Sequence, residues 1–208
     1  MSETNWKTSW ADRRFRRLLP VSLVLLVLVL TALTFILSYA EKRSGIVIEK
    51  NWLGRFPPQD FSRIIFSATY GFALAGIILC FRRPSTGLSL IQGYTMISFL
   101  RCVTLLLVPL DPPEGIIPLA DPLLQNSFYA GRVNLKDLFF SGHAATLFLF
   151  AFLLKNKSVK IVFCAAGLGV GILLALQRVH YVSDVLAAPV FAYAAWYFTQ
   201  RWPAFLRY

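Results

Sequence analysis

Residues 18–40 read LLPVSLVLLVLVLTALTFILSYA, an apolar run of 23 residues without a charged side chain. A helix that crosses the hydrocarbon core of a bilayer needs about 20 mostly apolar residues, so this run predicts a transmembrane helix. The small residues of Ser38-Tyr39-Ala40 also fit the cleavage site of a signal peptide. However, the apolar core of a signal peptide spans only about 7–15 residues, and the greater length here favours a retained anchor.

Five more stretches meet the same criterion of length and composition. We therefore expect an all-α, polytopic membrane protein, with six transmembrane helices in a single domain over residues 1–208 and a basic tail at 1–17. The composition agrees, because 57% of the 208 residues are hydrophobic and only 15% are charged, whereas soluble domains carry roughly a quarter. The five further predicted spans are 61–81, 87–108, 138–154, 159–176 and 181–199.

The net charge of +11 predicts how the chain is oriented in the membrane. If the amino terminus is cytoplasmic, the segments on that side hold 12 Lys and Arg against two acids, and those on the opposite side hold seven against eight. Because positive charge accumulates on the cytoplasmic side, both termini are expected there. A basic nucleic-acid-binding domain would not carry several long apolar runs, so no nucleic-acid partner is predicted.

Two long loops are expected on the opposite, extracytoplasmic side. In residues 41–60, Trp52 and Phe56 lie four apart and would share one face of a helix on the membrane surface. Residues 109–137 hold five prolines, which predict an irregular segment. Long ordered loops often contribute to functional sites.

The two histidines, His143 and His180, are the first candidates for chemistry. Asp184 follows His180 by four residues, and such positions share a helical face. Asp184 can therefore accept a proton from one imidazole nitrogen, which leaves the other nitrogen as a base or nucleophile. The same pair also suits a purely structural hydrogen bond at a helix end.

Ser141, Gly142 and Arg101 are candidates for binding phosphate. Ser141 and Gly142 precede the fourth predicted span, where free N–H groups bind anions; an ordinary N-cap is the alternative. Arg101 lies inside the third predicted span, where a charge is costly and usually marks function or a buried partner. Its guanidinium suits bidentate phosphate contacts, and a structural pair with a carboxylate is the alternative.

A metal site is a competing hypothesis, because two histidines and one aspartate can bind a divalent ion. The spacing does not favour it, and no Cys–His zinc pattern is present. The cysteines lie in apolar segments and are interpreted as small buried hydrophobic residues. We therefore predict neither a metal nor a cofactor.

Three motifs resemble those of the sphingomyelin synthase family, a branch of the type-2 phosphatidic acid phosphatase (lipid phosphate phosphatase) superfamily. Residues 137–143 match its D-x-x-x-S-G-H motif, and residues 180–185 match its H-Y-x-x-D-V motif. Residues 100–104, followed by Pro109, are similar to its R-x-x-T stretch before a proline. The motifs occur in the family's order, and the resemblance covers most of the chain from about residue 60.

The resemblance implies a two-step reaction through a phosphohistidine or phospholipid–histidine intermediate. His180, oriented by Asp184, would attack phosphorus. His143 would donate a proton to the leaving alcohol and then accept one from the incoming acceptor. The phosphate would be cradled by Arg101, Ser141 and Gly142.

Two departures from the superfamily pattern concern its phosphatases. Their K-x6-R-P motif is incomplete, since Arg83-Pro84 is present but position 76 is Gly. An arginine common six residues before the second histidine is replaced by Leu174, a loss for which Arg178 and Lys136 are candidates to compensate as phosphate ligands. These departures favour the synthase-like branch.

The sequence therefore predicts a lipid phosphotransferase or phosphatase with its active site on the extracytoplasmic side. The substrate would be a lipid phosphate or phospholipid, and the acceptor a lipid hydroxyl or water. Two alternatives are a phosphatase that uses water as its sole acceptor and a membrane scaffold or transporter without activity.

Overall fold

The computed structural model describes residues 5–48, 56–119 and 134–201. Regular secondary structure in these ranges is entirely helical, which confirms the predicted all-α class, and each of the six predicted spans overlaps a helix. The helices are α1 Trp6–Ala11, α2 Arg13–Lys42, α3 Ser62–Phe81, α4 Pro84–Leu107, α5 Gly142–Leu153, α6 Lys157–Leu176 and α7 Val182–Arg201.

Of the helices that the structure describes, four (α2, α3, α4 and α6) are long and apolar enough to cross a bilayer, as expected of an integral membrane protein. The sequence predicted six spans, and the count of six stays a prediction. The difference between six predicted spans and four sufficiently long, apolar helices arises in part at α5, whose 12 residues extend about 18 Å at 1.5 Å per residue. This helix begins at Gly142, four residues after the predicted start of the span, because Ser141 caps it.

Within the predicted basic tail at 1–17, the structure describes residues from Asn5 onward, and most of these are helical. Asp12 caps α2, accepting a hydrogen bond from the Arg14 N–H at 2.7 Å, so this helix starts five residues before the apolar run. The preceding short helix α1 packs on the bundle. The indole Nε1 of Trp6 donates to the carbonyl of Phe81 at 2.8 Å, and the two rings stack.

Helix α5 lies at the centre of the bundle, with eight of its 12 residues buried. Glycines on its neighbours permit close approach: a Cβ added at Gly76 of α3 would lie 2.5 Å from the Phe150 ring, and one at Gly93 of α4 would lie 2.9 Å from Leu149. Small residues promote this kind of packing between membrane helices. Helix α5, although shorter than the helices that could cross a bilayer, is therefore largely covered by protein.

The parts of the two long loops that the structure describes are irregular, as predicted for the proline-rich one. Ile46 pairs with the segment around Leu110, its N–H donating to the Pro109 carbonyl at 2.9 Å. Phe56 is exposed and not helical. Trp52, its partner in the predicted surface helix, lies outside the described residues, as does Pro122.

Helices α2 to α7 alternate in direction, so the carboxyl ends of α2, α4 and α6 meet the amino ends of α3, α5 and α7. Hydrogen bonds join these ends: Arg43 donates to the Leu106 carbonyl at 2.9 Å, and the Phe61 N–H donates to Gln177 Oε1 at 2.9 Å. We call this the site end. The opposite end carries α1 and the α3–α4 turn and is called the basic end.

Candidate active site

His180 and Asp184 form the pair expected from their spacing. Nδ1 of His180 lies 3.2 Å from Oδ2 of Asp184, and both residues are buried. The Tyr181 N–H donates to the same oxygen at 3.3 Å, while Oδ1 has no hydrogen-bond partner among the described residues. A carboxylate acceptor at Nδ1 fixes the proton there and leaves the lone pair on Nε2.

The short α6–α7 turn sets the position of His180, which lies two residues before α7 begins at Val182. The N–H groups of Val179 and His180 both point to the Leu174 carbonyl, at 2.9 and 3.4 Å. Arg178 adopts a φ of +60°, in the left-handed region that ends many helices. The turn thus reverses the chain and directs His180 back towards the bundle.

Gln177, which the sequence reasoning did not single out, holds this turn in place. Its side chain is fully buried, accepts from the Phe61 N–H, and donates to Ser62 Oγ at 2.9 Å and to the Ile117 carbonyl at 3.2 Å. It therefore joins the turn to the start of α3 and to the proline-rich loop. The sequence signal for this role was a polar residue directly after an apolar helix and three residues before His180.

Ser141 links the two motif segments. Its Oγ accepts from the Ala144 N–H at 3.4 Å, which makes it the N-cap of α5. Its own N–H donates to the Asp184 carbonyl at 3.3 Å, so the amino ends of α5 and α7 lie side by side. The Ser141 side chain is fully buried, and its hydroxyl proton is available for a further bond.

Arg101 lies at the amino end of α5, with its side chain 14% exposed. A Cβ added at Gly142 would come within 2.7 Å of Nη1 of Arg101, so the absence of a side chain there is what admits the guanidinium. Arg101 also forms an ion pair with Asp137. Arg101 therefore makes the carboxylate pair that was the structural alternative, and it also lies at a helix amino end, where a phosphate group can bind.

Asp137 belongs to the D-x-x-x-S-G-H motif, but the sequence reasoning gave it no role. Burial by itself raises its pKa; Arg101, together with His180 and His143, more than offsets this and holds the pKa below its usual value. Asp137 thus lies within electrostatic reach of all three cationic or titratable groups. Its partner Arg101 is 36 residues away, so sequence spacing gave no signal for the pair.

His143 occupies the first turn of α5 and is partly buried. Its ring meets that of Phe66 on α3 edge-on, with the centroids 6.4 Å apart. With Arg101, Ser141, Gly142, His180 and Asp184, it completes a set of predicted residues that the structure gathers at the site end.

Lys136 and Arg178 make other contacts. The ammonium of Lys136 pairs with Asp111 at 2.6 Å and donates to the Arg43 carbonyl at 2.6 Å, and it holds the pKa of Asp111 below its usual value. Arg178 donates to the carbonyls of Glu114 and Phe56, at 2.8 and 3.1 Å. Both side chains fasten the loops to the site end, and their predicted phosphate contacts stay predictions.

Within residues 5–48, 56–119 and 134–201, no three His, Cys, Asp or Glu side chains are grouped as metal ligands. The chain matches no family model, no curated protein and no solved structure. The site combines an oriented imidazole, a second imidazole, a guanidinium and the amino end of a helix. Such a set suits an anionic ligand that undergoes nucleophilic attack.

Proposed function

We propose that the protein is a membrane-embedded lipid phosphotransferase or phosphatase that works through a phosphohistidine-type intermediate. The observation that carries the proposal is the juxtaposition of the His180–Asp184 pair with the amino end of α5, where the Ser141 N–H donates to the Asp184 carbonyl and Arg101 lies against Gly142. The resemblance of the three motifs to those of sphingomyelin synthases supports the same assignment. None of these features depends on a metal or cofactor.

In the first step, Nε2 of His180 attacks phosphorus. The P–N bond forms as the P–O bond to the lipid alcohol breaks, and the departing oxygen takes a proton from His143. Asp184, which accepts from Nδ1 at 3.2 Å, stabilises the positive charge that develops on the ring. The products are a lipid alcohol and a phosphorylated His180.

In the second step, an acceptor hydroxyl attacks the same phosphorus. His143 removes its proton, the P–N bond breaks, and His180 regains its lone pair. Water as acceptor gives net hydrolysis, and a lipid hydroxyl gives transfer. One site therefore serves both the phosphotransferase and the phosphatase reaction.

Phosphate binding involves an exchange of partners at Arg101. In the described structure, the Asp137 carboxylate pairs with the guanidinium. A substrate phosphate is a bidentate acceptor of the same kind, so it replaces this carboxylate and also accepts from N–H groups at the start of α5. Ser141 can donate its hydroxyl proton to the same oxygens.

The orientation belongs to the same proposal. Six spans, cytoplasmic termini and an extracytoplasmic site agree with the charge distribution of the sequence. The site end lies opposite the end that carries α1. A cytoplasmic amino terminus would therefore place the candidate site on the extracytoplasmic side, beside the headgroups of that leaflet.

The test is turnover of phosphatidic acid by the purified protein in detergent, with His180→Ala and His143→Ala. Each variant should lose at least about a thousandfold in activity, since removing a nucleophile or its acid–base partner leaves only binding contributions. Thr95→Val is the control, because the Thr95 hydroxyl donates to the Ile91 carbonyl of its own helix and has no role in the proposed reaction. Full activity in either histidine variant would refute the mechanism.

A further inference from the structure

Threonine side chains in the described helices of this protein mostly bond to their own helix. The hydroxyl donates to a carbonyl three or four residues earlier, the usual arrangement in membrane helices. The threonines that do so are Thr8, Thr31, Thr34, Thr95, Thr104, Thr146 and Thr199, and Ser38 makes the same kind of bond.

Thr69 of α3 departs from this pattern. It is 7% exposed, and its Oγ1 is buried without a hydrogen-bond partner in the part of the chain that the structure describes. The carbonyl of Ile65, four residues earlier, stands in one of the positions from which the other threonine hydroxyls take their partner. A buried polar atom without a partner costs free energy, which a ligand that bonds to it would recover.

The position of Thr69 relates it to the candidate active site. Phe66, three residues earlier on α3, contacts the His143 ring, and Gly76, seven residues later, lies against Phe150 of α5. Positions three and seven apart share a helical face, so Thr69 belongs to the face of α3 that packs on α5. Both helices begin at the site end, which places Thr69 about 4.5 Å further along the bundle than Phe66.

The surroundings indicate an amphiphilic ligand. Phe66 and Tyr70, which precede and follow Thr69 in the sequence, stack on each other with their ring centroids 5.9 Å apart. This part of α3 therefore carries aromatic rings near the Thr69 hydroxyl. A ligand that reaches Thr69 therefore meets aromatic surface together with the Thr69 hydroxyl. A lipid alcohol, with its oxygen near His143 and its chains along α3, has this chemistry.

We propose that Thr69 binds the lipid alcohol substrate, through a hydrogen bond between Oγ1 and an oxygen of that lipid. This rests on the proposed function in one respect, because it takes His143 as the group that exchanges a proton with the alcohol. Thr69 thus serves the alcohol that leaves in the first step and the lipid acceptor of the second. It has no contact with the phosphate in this scheme.

The experiment measures binding directly with a photoactivatable diacylglycerol that carries a diazirine in one acyl chain. Crosslinking to the purified full-length protein in detergent is competed with unlabelled diacylglycerol. Thr69→Val, which keeps the shape and removes the hydroxyl, should raise the half-saturating concentration about threefold to tenfold, the worth of one buried hydrogen bond. Thr69→Ser, which keeps the hydroxyl, and Thr95→Val, a threonine 8% exposed, should stay within twofold.

The outcomes separate this proposal from the proposed function. Equal diacylglycerol affinity in Thr69→Val and Thr95→Val would overturn the role of Thr69, whether or not the enzyme hydrolyses phosphatidic acid. Weaker diacylglycerol binding in Thr69→Val than in Thr95→Val supports the contact between Thr69 and the lipid alcohol, even if the wild type shows no turnover. If Thr69→Val does not fold, as judged by thermal unfolding, Thr69→Ala takes its place.

Discussion

The two ends of the helix bundle differ in whether their charged side chains are exposed or paired. At the basic end, arginines of the first turns of α2 and of the α3–α4 turn are exposed to the surroundings. At the site end, Arg101 pairs with Asp137, Lys136 with Asp111, and His180 with Asp184. Exposed charge at one end suits orientation in the membrane, whereas paired and partly buried charge at the other suits a site built for an anion.

The largest expected difference between the ends comes from one substitution made at each. Arg101→Gln removes the guanidinium at the amino end of α5 and should lower phosphatidic acid turnover about 100- to 1000-fold, the usual effect of losing a donor to transition-state charge. Arg16→Gln, at an exposed position of α2, should change it less than twofold. Comparable losses in both variants would remove the distinction between the two ends.

Gly142→Ala should have a smaller effect on turnover than Arg101→Gln, since the added methyl group displaces Arg101 without removing it. The new methyl group would lie 2.7 Å from Nη1, and the flexible arginine side chain can move away, so folding should survive. We expect turnover to fall about 100-fold with little change in Tm. Gly71→Ala is the matched control, because a Cβ there meets nothing within 4 Å. Equal activity in the two alanine variants would show that the position of Arg101 is unimportant.

The comparison also shows how far the sequence alone can predict this molecule. The helices and the His180–Asp184 pair were predictable, because apolar length and the spacing of four residues are local properties. The N-cap role of Ser141 was predictable as one of two alternatives for the same reason. Local signals, however, did not give the start of α2 at Arg13, since the apolar run begins only at Leu18.

What sequence reasoning missed depends on contacts between distant segments. Asp137 reaches Arg101 across 36 residues, and Gln177 reaches Phe61 across 116. The roles of Lys136 and Arg178 in fastening the loops likewise follow from the tertiary arrangement of Asp111, Glu114 and their neighbours. A positive residue near a motif looks the same in sequence whether it contacts a ligand or a loop carbonyl.

The central claim is that His180 becomes covalently phosphorylated, and trapping that species tests it most directly. The purified protein would be incubated with phosphatidic acid labelled with ³²P in its phosphate, quenched in alkali and mapped by peptide. We predict acid-labile, alkali-stable label on the peptide that contains His180, and its loss in His180→Ala. Steady turnover of phosphatidic acid by the wild type with no label at His180 would contradict the account.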